Sequence, residues 1–280
     1  MHQNEPFFSI CICNRNMAST LEICINSILG QIDERFEIVI IDDGSSDNSL
    51  NILQRLQDSD SRVKLVALPD DRKRKLGSTR NVSIAEASGE WVILHLDTDD
   101  RIDEGLIEFV ESVLLINSID AQPVLYSGHQ IHMAPRDWLL SLGPYRNLYR
   151  LEDRDLYQRL IPKKEWRIID HEKFIHRLPR HRNDNLKKTI KDAYEHLVSD
   201  TRYELKFYIV LKKELARLYP NKLRLRLFRL ALLPFAFFAG RRLGVIDTVY
   251  GDFSNQGVKL YRQENRHTAE EWCRLLAAKQ

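Results

Sequence analysis

The stretch EWVILHLDTDD, residues 90–100, runs from an apolar segment straight into Asp97, Asp99 and Asp100. A strand that is hydrophobic on both faces belongs in a parallel sheet covered on both sides. Three acids at its carboxyl end repel one another and need a positive partner. Two readings of these acids stand side by side. They can hold a hard divalent cation, Mg²⁺ or Mn²⁺, through carboxylate oxygens. Alternatively, Asp99 or Asp100 caps the helix read over Asp103–Ile116, where acids favour the positive end of the dipole.

Working outward, similar apolar runs occur at FFSICIC (7–13), FEIVIID (36–42), RVKLVAL (62–68) and AQPVLYS (121–127). With EWVILHLD their starts recur every 26 to 31 residues, about the length of a βα unit. Helical patterns fall between them, over Thr20–Leu29, Ser49–Gln57 with Leu50, Leu53 and Leu56 at spacing three, and Arg80–Ala87. This alternation predicts an α/β fold with a mostly parallel central sheet and helices on both faces.

Ligands of an open parallel sheet bind beyond the carboxyl ends of its strands. The loops there are polar throughout: NRN (14–16), DDGSSD (42–47), PDDRKRKLGSTRN (69–81) and DTDD (97–100). None carries GxGxxG or GxxxxGK[ST], which disfavours a dinucleotide site and a P-loop. Asp42 and Asp43 have a competing reading, in which they end a strand in an Asx-type turn with Gly44.

Three ordered segments carry a family resemblance. SICICNRN (9–16), VIIDDGSSDNS (39–49) and STRNVSIAEASGEWVILHLDTDD (78–100) together resemble the nucleotide-binding half of the family 2 glycosyltransferases, which have the Rossmann-like GT-A fold. The likeness covers residues 7 to 128. Departures are Cys13 where the family prefers Pro, Asn14 and Arg15 in place of Thr and Tyr, and Lys75 where Gly is common. The resemblance implies a nucleoside diphosphate sugar as donor. It implies that Asp43 meets the base, that Asn14 and Asn16 flank base and ribose, and that Arg80 approaches the diphosphate. Asp97 would touch ribose or metal, Asp99 would be the main metal ligand, and Asp100 would start the following helix.

Further on, LEDRDLYQRL (151–160) resembles the family's ED motif, which makes Asp153 the candidate catalytic base of an inverting transfer, with Glu152 beside it. The competing reading takes Glu152, Asp153 and Asp155 as the acidic first turn of a helix. EWRIIDHEKFIHRLPRHRND (165–184) is similar to the closing strand and His-bearing loop, so His181 is a candidate ligand of metal or diphosphate. The basic residues around it, Arg177 among them, read by default as a solvated face.

The resemblance divides the chain into a GT-A domain over 1–200, with a nucleotide-sugar half (1–128) and an acceptor half (129–200), and a helical C-terminal extension over 201–280. Within the extension, NKLRLRLFRLALLPFAFFAGRR (221–242) has an apolar run framed by arginines and interrupted at Pro234, too short to span a bilayer. It reads either as a segment lying in a membrane interface or as a helix pair packed on protein. On the first reading a glycan or polyprenyl-linked acceptor is expected.

Composition excludes little else. The 280 residues are 43% hydrophobic and 29% charged with a formal net charge of +2, so no nucleic-acid partner is indicated. Cys11, Cys13, Cys24 and Cys273 show no metal spacing, and MHQNEPFFSI is unlike a signal peptide, so a cytoplasmic protein is expected. Two alternatives remain. A nucleotidyltransferase would need a Gly-rich phosphate loop near the start, which SICICNRN does not provide, and a non-catalytic binding protein would have no reason to keep Asp43, Asp97, Asp99 and Asp153 together.

Overall fold

The computed structural model describes residues 6–71, 73–148, 152–179, 186–203, 207–216, 223–243 and 255–279. Its first half follows the alternation. β1 (Phe8–Asn14), α1 (Leu21–Leu29), β2 (Phe36–Asp43), α2 (Ser49–Ser59), β3 (Val63–Leu68), α3 (Leu76–Glu86) and β4 (Trp91–Leu94) form consecutive βα units. β1 pairs in parallel with both β2 and β4, and β2 with β3.

Side chains sort by the two-residue period of a strand. Phe8, Ile10, Ile12, Phe36, Ile38, Ile40, Trp91 and Ile93 point into one layer. Cys11, Val39, Ile41, Val92 and Leu94 point into the other. The first layer is closed by α1, α2 and α4 (Leu106–Ile119), through Ile25, Leu53, Phe109 and Val113 among others. The second is closed by α3, α5 (Arg136–Ser141) and α6 (Glu152–Leu160), through Ile84, Leu139, Leu156 and Tyr157. Each fully buried Ile or Leu contributes about 1.5–3 kcal/mol, so the two layers together hold the sheet rigid under its loops.

The second half departs from a purely parallel sheet. β5 (Asp100–Ile102) leaves the main sheet, β6 (Leu125–Ser127) and β7 (His132–Pro135) follow α4, and β8 (Trp166–Ile169) follows α6 and a short 3₁₀ turn at Ile161–Lys163. β9 (Ile175–Arg177) pairs antiparallel with β5 as a separate two-stranded sheet. With β10 (Arg266–His267) at one edge, the eight-stranded main sheet runs β10-β8-β6-β7-β4-β1-β2-β3, with β7 antiparallel to β4 and β6.

The C-terminal helical part packs in two places. α7 (Leu186–Tyr203), α8 (Phe207–Ala216) and α9 (Leu223–Arg242) share a small core of Leu197, Val198, Val210, Leu233 and Ala236. After α10 (Asn255–Glu264), however, β10 (Arg266–His267) adds to β8 in parallel, and α11 (Ala269–Ala277) buries Trp272 and Leu276 in the main core. α9 continues through Pro234. α11 opens with a capping box of Thr268 and Glu271.

Candidate active site

β4 stops at Leu94 because His95 takes a left-handed conformation, φ 72°, unusual for a residue with a Cβ. Its half-buried ring is held by Tyr145 Oη at 3.0 Å and lies edge-on to His132. Beyond this kink Asp97 bridges back to Cys13, which brings it beside the end of β1. Residues 97–100 then turn tightly: the Asp100 amide donates to the Asp97 carbonyl at 2.9 Å, and the Asp97 amide donates to Asp100 Oδ2 at 3.2 Å. Asp100 therefore begins β5 and caps no helix; α4 starts at Leu106, after Gly105 at φ 131°. This corrects the helix-start role given to Asp100 and the start of that helix at Asp103.

One carboxylate oxygen from each of Asp97, Asp99 and Asp100 lies within 4.8 Å of the others. Such a donor set fits a hard cation, and two of its members, Asp99 and Asp100, are buried. Burial, reinforced by Asp97 and Asp99, outweighs the pull of Arg177 and raises the Asp100 carboxyl to about 6. Arg177 is the positive partner in the chain itself. It sits opposite Asp100 in the β5–β9 pair and reaches all three acids. Its default reading as part of a solvated basic face is therefore corrected. No spacing rule could have found it, because β9 meets β5 only through a pairing across 73 to 77 residues, from Ile102↔Ile175 to Asp100↔Arg177.

The turn after β2 forms the adjoining wall. Asn14 is buried; its Nδ2 donates to Asp42 Oδ2 at 2.7 Å and to Ser45 Oγ at 3.3 Å. Asn16 Oδ1 accepts the amides of Ser46 at 2.7 Å and Asp47 at 3.3 Å. Both asparagines thus wire the 42–47 turn in place. Gly44, at φ 68°, is required there, because a Cβ would meet the Asp70 backbone at 2.6 Å. Asp43 faces a basic pair: Arg74 Nε donates to its Oδ1 at 2.6 Å, Thr79 Oγ1 donates to Oδ2 at 3.1 Å, and Arg15 lies 3.9 Å away.

Arg80 links this wall to the acids. It is buried on α3, with Nε 3.4 Å from Glu152 Oε1 and a terminal nitrogen 3.9 Å from Asp97 Oδ1. α6 thereby brings Glu152 and Asp153 toward the cluster. Glu152 is buried, while Asp153 is half-buried and accepts the Arg154 amide at 2.7 Å. Asp155 is structural, paired with Arg146 at 3.0 Å and Arg159 at 3.2 Å. His181 lies outside the described residues.

Burial raises the Glu152 carboxyl from 4.5 to about 7 despite the Arg80 guanidinium. The folded protein then binds more protons than the unfolded chain across that interval, so stability falls as pH rises through it. Glu152→Gln should flatten this slope and leave the variant more stable than the parent above neutrality, by about 1–3 kcal/mol. Urea unfolding at pH 5 and pH 8 measures it; equal slopes in the two proteins would refute the assignment.

A mostly parallel eight-stranded sheet with one antiparallel strand and helices on both faces matches the GT-A glycosyltransferase fold. The mannosyltransferase PcManGT from Pyrobaculum calidifontis, solved with GDP-Man and Mn²⁺, superposes with a TM-score of 0.54 at 16% identity, covering 98% of this chain and 84% of that one. At that identity the likeness speaks for the fold. Residues 9–111 match the family model Glycosyl transferase family 2, so over that segment the chain resembles this family. An uncharacterized glycosyltransferase of Haemophilus influenzae is 33% identical over 116 residues, 41% of this chain and 45% of its own length. The GalNAc(5)-diNAcBac-PP-undecaprenol beta-1,3-glucosyltransferase of Campylobacter jejuni is 34% identical over 102 residues, 36% of this chain and 32% of its own. The chain therefore spans less than half the length of these curated relatives.

Proposed function

We propose that the chain is an inverting glycosyltransferase that moves a sugar from a nucleoside diphosphate sugar to a hydroxyl of a glycan or lipid-linked acceptor. The observation that carries this is the meeting of two carboxylate groups through Arg80: the triplet after β4 and the Glu152–Asp153 pair on α6. A divalent cation, Mn²⁺ or Mg²⁺, bound by Asp99 and Asp97, would offset the charge that develops on the departing diphosphate. Asp43 accepts from the base, with Arg74 and Arg15 as donors on either side. A donor, acceptor, donor edge complements the imide of uracil, which favours a uridine diphosphate donor. Asn14 and Asn16 keep that edge rigid, and Arg80 lends its charge to the diphosphate side. Asp153 takes the proton of the acceptor hydroxyl on the face opposite the leaving group, as a single displacement with inversion requires. His181 is kept as a further ligand of cation or diphosphate.

The experiment is a turnover assay with UDP- and GDP-sugars, with and without Mn²⁺, following release of nucleoside diphosphate. Release from a UDP-sugar that depends on Mn²⁺ is the expected result. Metal-independent release, or none from any donor, would overturn the reading. A nucleotidyltransferase would release no nucleoside diphosphate from these donors but would release pyrophosphate when given a nucleoside triphosphate and a sugar phosphate, and a binding protein would show metal-linked donor binding without release.

A lipid-linked acceptor accords with the undecaprenol-linked acceptor in the name of the C. jejuni relative. It accords also with α9. No helix among the described residues is long and apolar enough to cross a membrane. Yet Leu227, Ala231, Pro234, Phe235 and Phe238 fall at helical spacing on its exposed side, with Phe235 at 69% and Phe238 at 71% exposure. Arg241 and Arg242 follow at the end of the helix, as in a segment that lies on an anionic bilayer. The four free thiols fit a reducing compartment, so the cytoplasmic leaflet is the surface proposed. The full chain should sediment with phosphatidylglycerol vesicles and not with phosphatidylcholine alone, and Phe235→Ser with Phe238→Ser should weaken this about tenfold. Binding unaffected by the pair would assign the face to another protein surface.

A further inference from the structure

Arg177 is the shared partner of the three carboxylates that could hold a cation. Its three nitrogens address one oxygen of each acid: one terminal nitrogen meets Asp99 Oδ1, the other Asp97 Oδ2 at 3.1 Å, and Nε Asp100 Oδ1 at 3.1 Å. The backbone beneath is anchored, since Arg177 pairs with Asp100 across β5–β9 and the Leu178 amide donates to the Asp99 carbonyl at 2.7 Å. The side chain is 42% exposed, so it can swing toward solvent while its strand stays fixed.

We propose that Arg177 is a tethered counter-ion that competes with the divalent cation for the acid triplet and is released to the diphosphate, so that cation and nucleotide bind as a coupled pair. The inference rests on the triplet being the cation site. Three carboxylates against Arg177 and the more distant Arg80 still leave an excess of negative charge, which disfavours a diphosphate arriving alone. A cation arriving alone must expel Arg177 from three partners into water. When both arrive, the cation takes the carboxylates and the freed guanidinium gains phosphate oxygens as new partners. Each ligand then raises the affinity for the other by the same factor.

The test is titration of the full chain with Mn²⁺, read from the electron paramagnetic resonance of free Mn²⁺, without nucleotide and with UDP or GDP. Arg177→Gln should bind Mn²⁺ alone about tenfold more tightly than the parent, and the gain in Mn²⁺ affinity from nucleotide should shrink by about the same factor. Arg177→Lys, which keeps the charge but not the three-way fork, should fall between the two. It also carries the test if the Gln variant does not fold. Unchanged or weaker Mn²⁺ binding in both variants, with the nucleotide effect intact, would overturn the inference while leaving the cation site standing. Absence of Mn²⁺ binding in every protein, with either nucleotide, would overturn both.

Discussion

Asp99→Asn should lower kcat/KM for sugar transfer by at least about a thousandfold at saturating Mn²⁺, a loss on the scale of removing a main electrostatic stabiliser of the leaving group. Asp99 is buried at the centre of the turn between β4 and β5, and its neighbours are like-charged. Replacing one member of a crowded triplet with a neutral isostere relieves repulsion, and Arg177 keeps Asp97 and Asp100 as partners. Folding stability should therefore be retained. Calorimetric melting beside the transfer assay separates the two quantities. Retention of more than a tenth of parental activity would remove Asp99 from the proposed cation site.

The second large effect concerns Asp153→Asn. Loss of a positioned base should reduce kcat by about 10²–10⁴ while donor affinity stays near the parental value. Asp153 stands in the first turn of α6 and is half-buried, so the isosteric change leaves the helix and its Glu152–Arg80 contact in place. Glu152→Gln provides the contrast. Its effect should pass through Arg80, and so should weaken donor binding as well as turnover. If Asp153→Asn raised KM for the donor and left kcat unchanged, Asp153 would belong to the binding wall and Glu152, with its raised carboxyl, would be the better candidate for the base.

Both predictions depend on groups whose chemistry is legible in the chain but whose partners are not. The DTDD and DDGSSD loops announce themselves because each lies directly after an apolar run, and in a βα unit that position is the carboxyl edge of the sheet. The asparagines at 14 and 16 are equally visible as loop residues. Their work, however, is to hold Asp42, Ser45, Ser46 and Asp47, which follows only once β1 and β2 lie in register from Phe8↔Phe36 to Asn14↔Asp42. Arg74 was one cation among several in PDDRKRK, and its pairing with Asp43 depends on how the loop after β3 folds back over β2.

The parallel core could be read directly, because its signals are local: strand period, helix period and turn chemistry repeat within each unit of about thirty residues. The same local signals marked the acids of 97–100 as needing a counter-charge. Which charge answers them in the folded chain was decided by contacts remote in sequence. Arg177 arrives on β9, Arg80 leans between Glu152 and Asp97, and Trp272 and Leu276 return from the far end to close the first core layer. Such contacts are selected by the burial and pairing of whole elements, a property of the assembled sheet that no window of sequence contains.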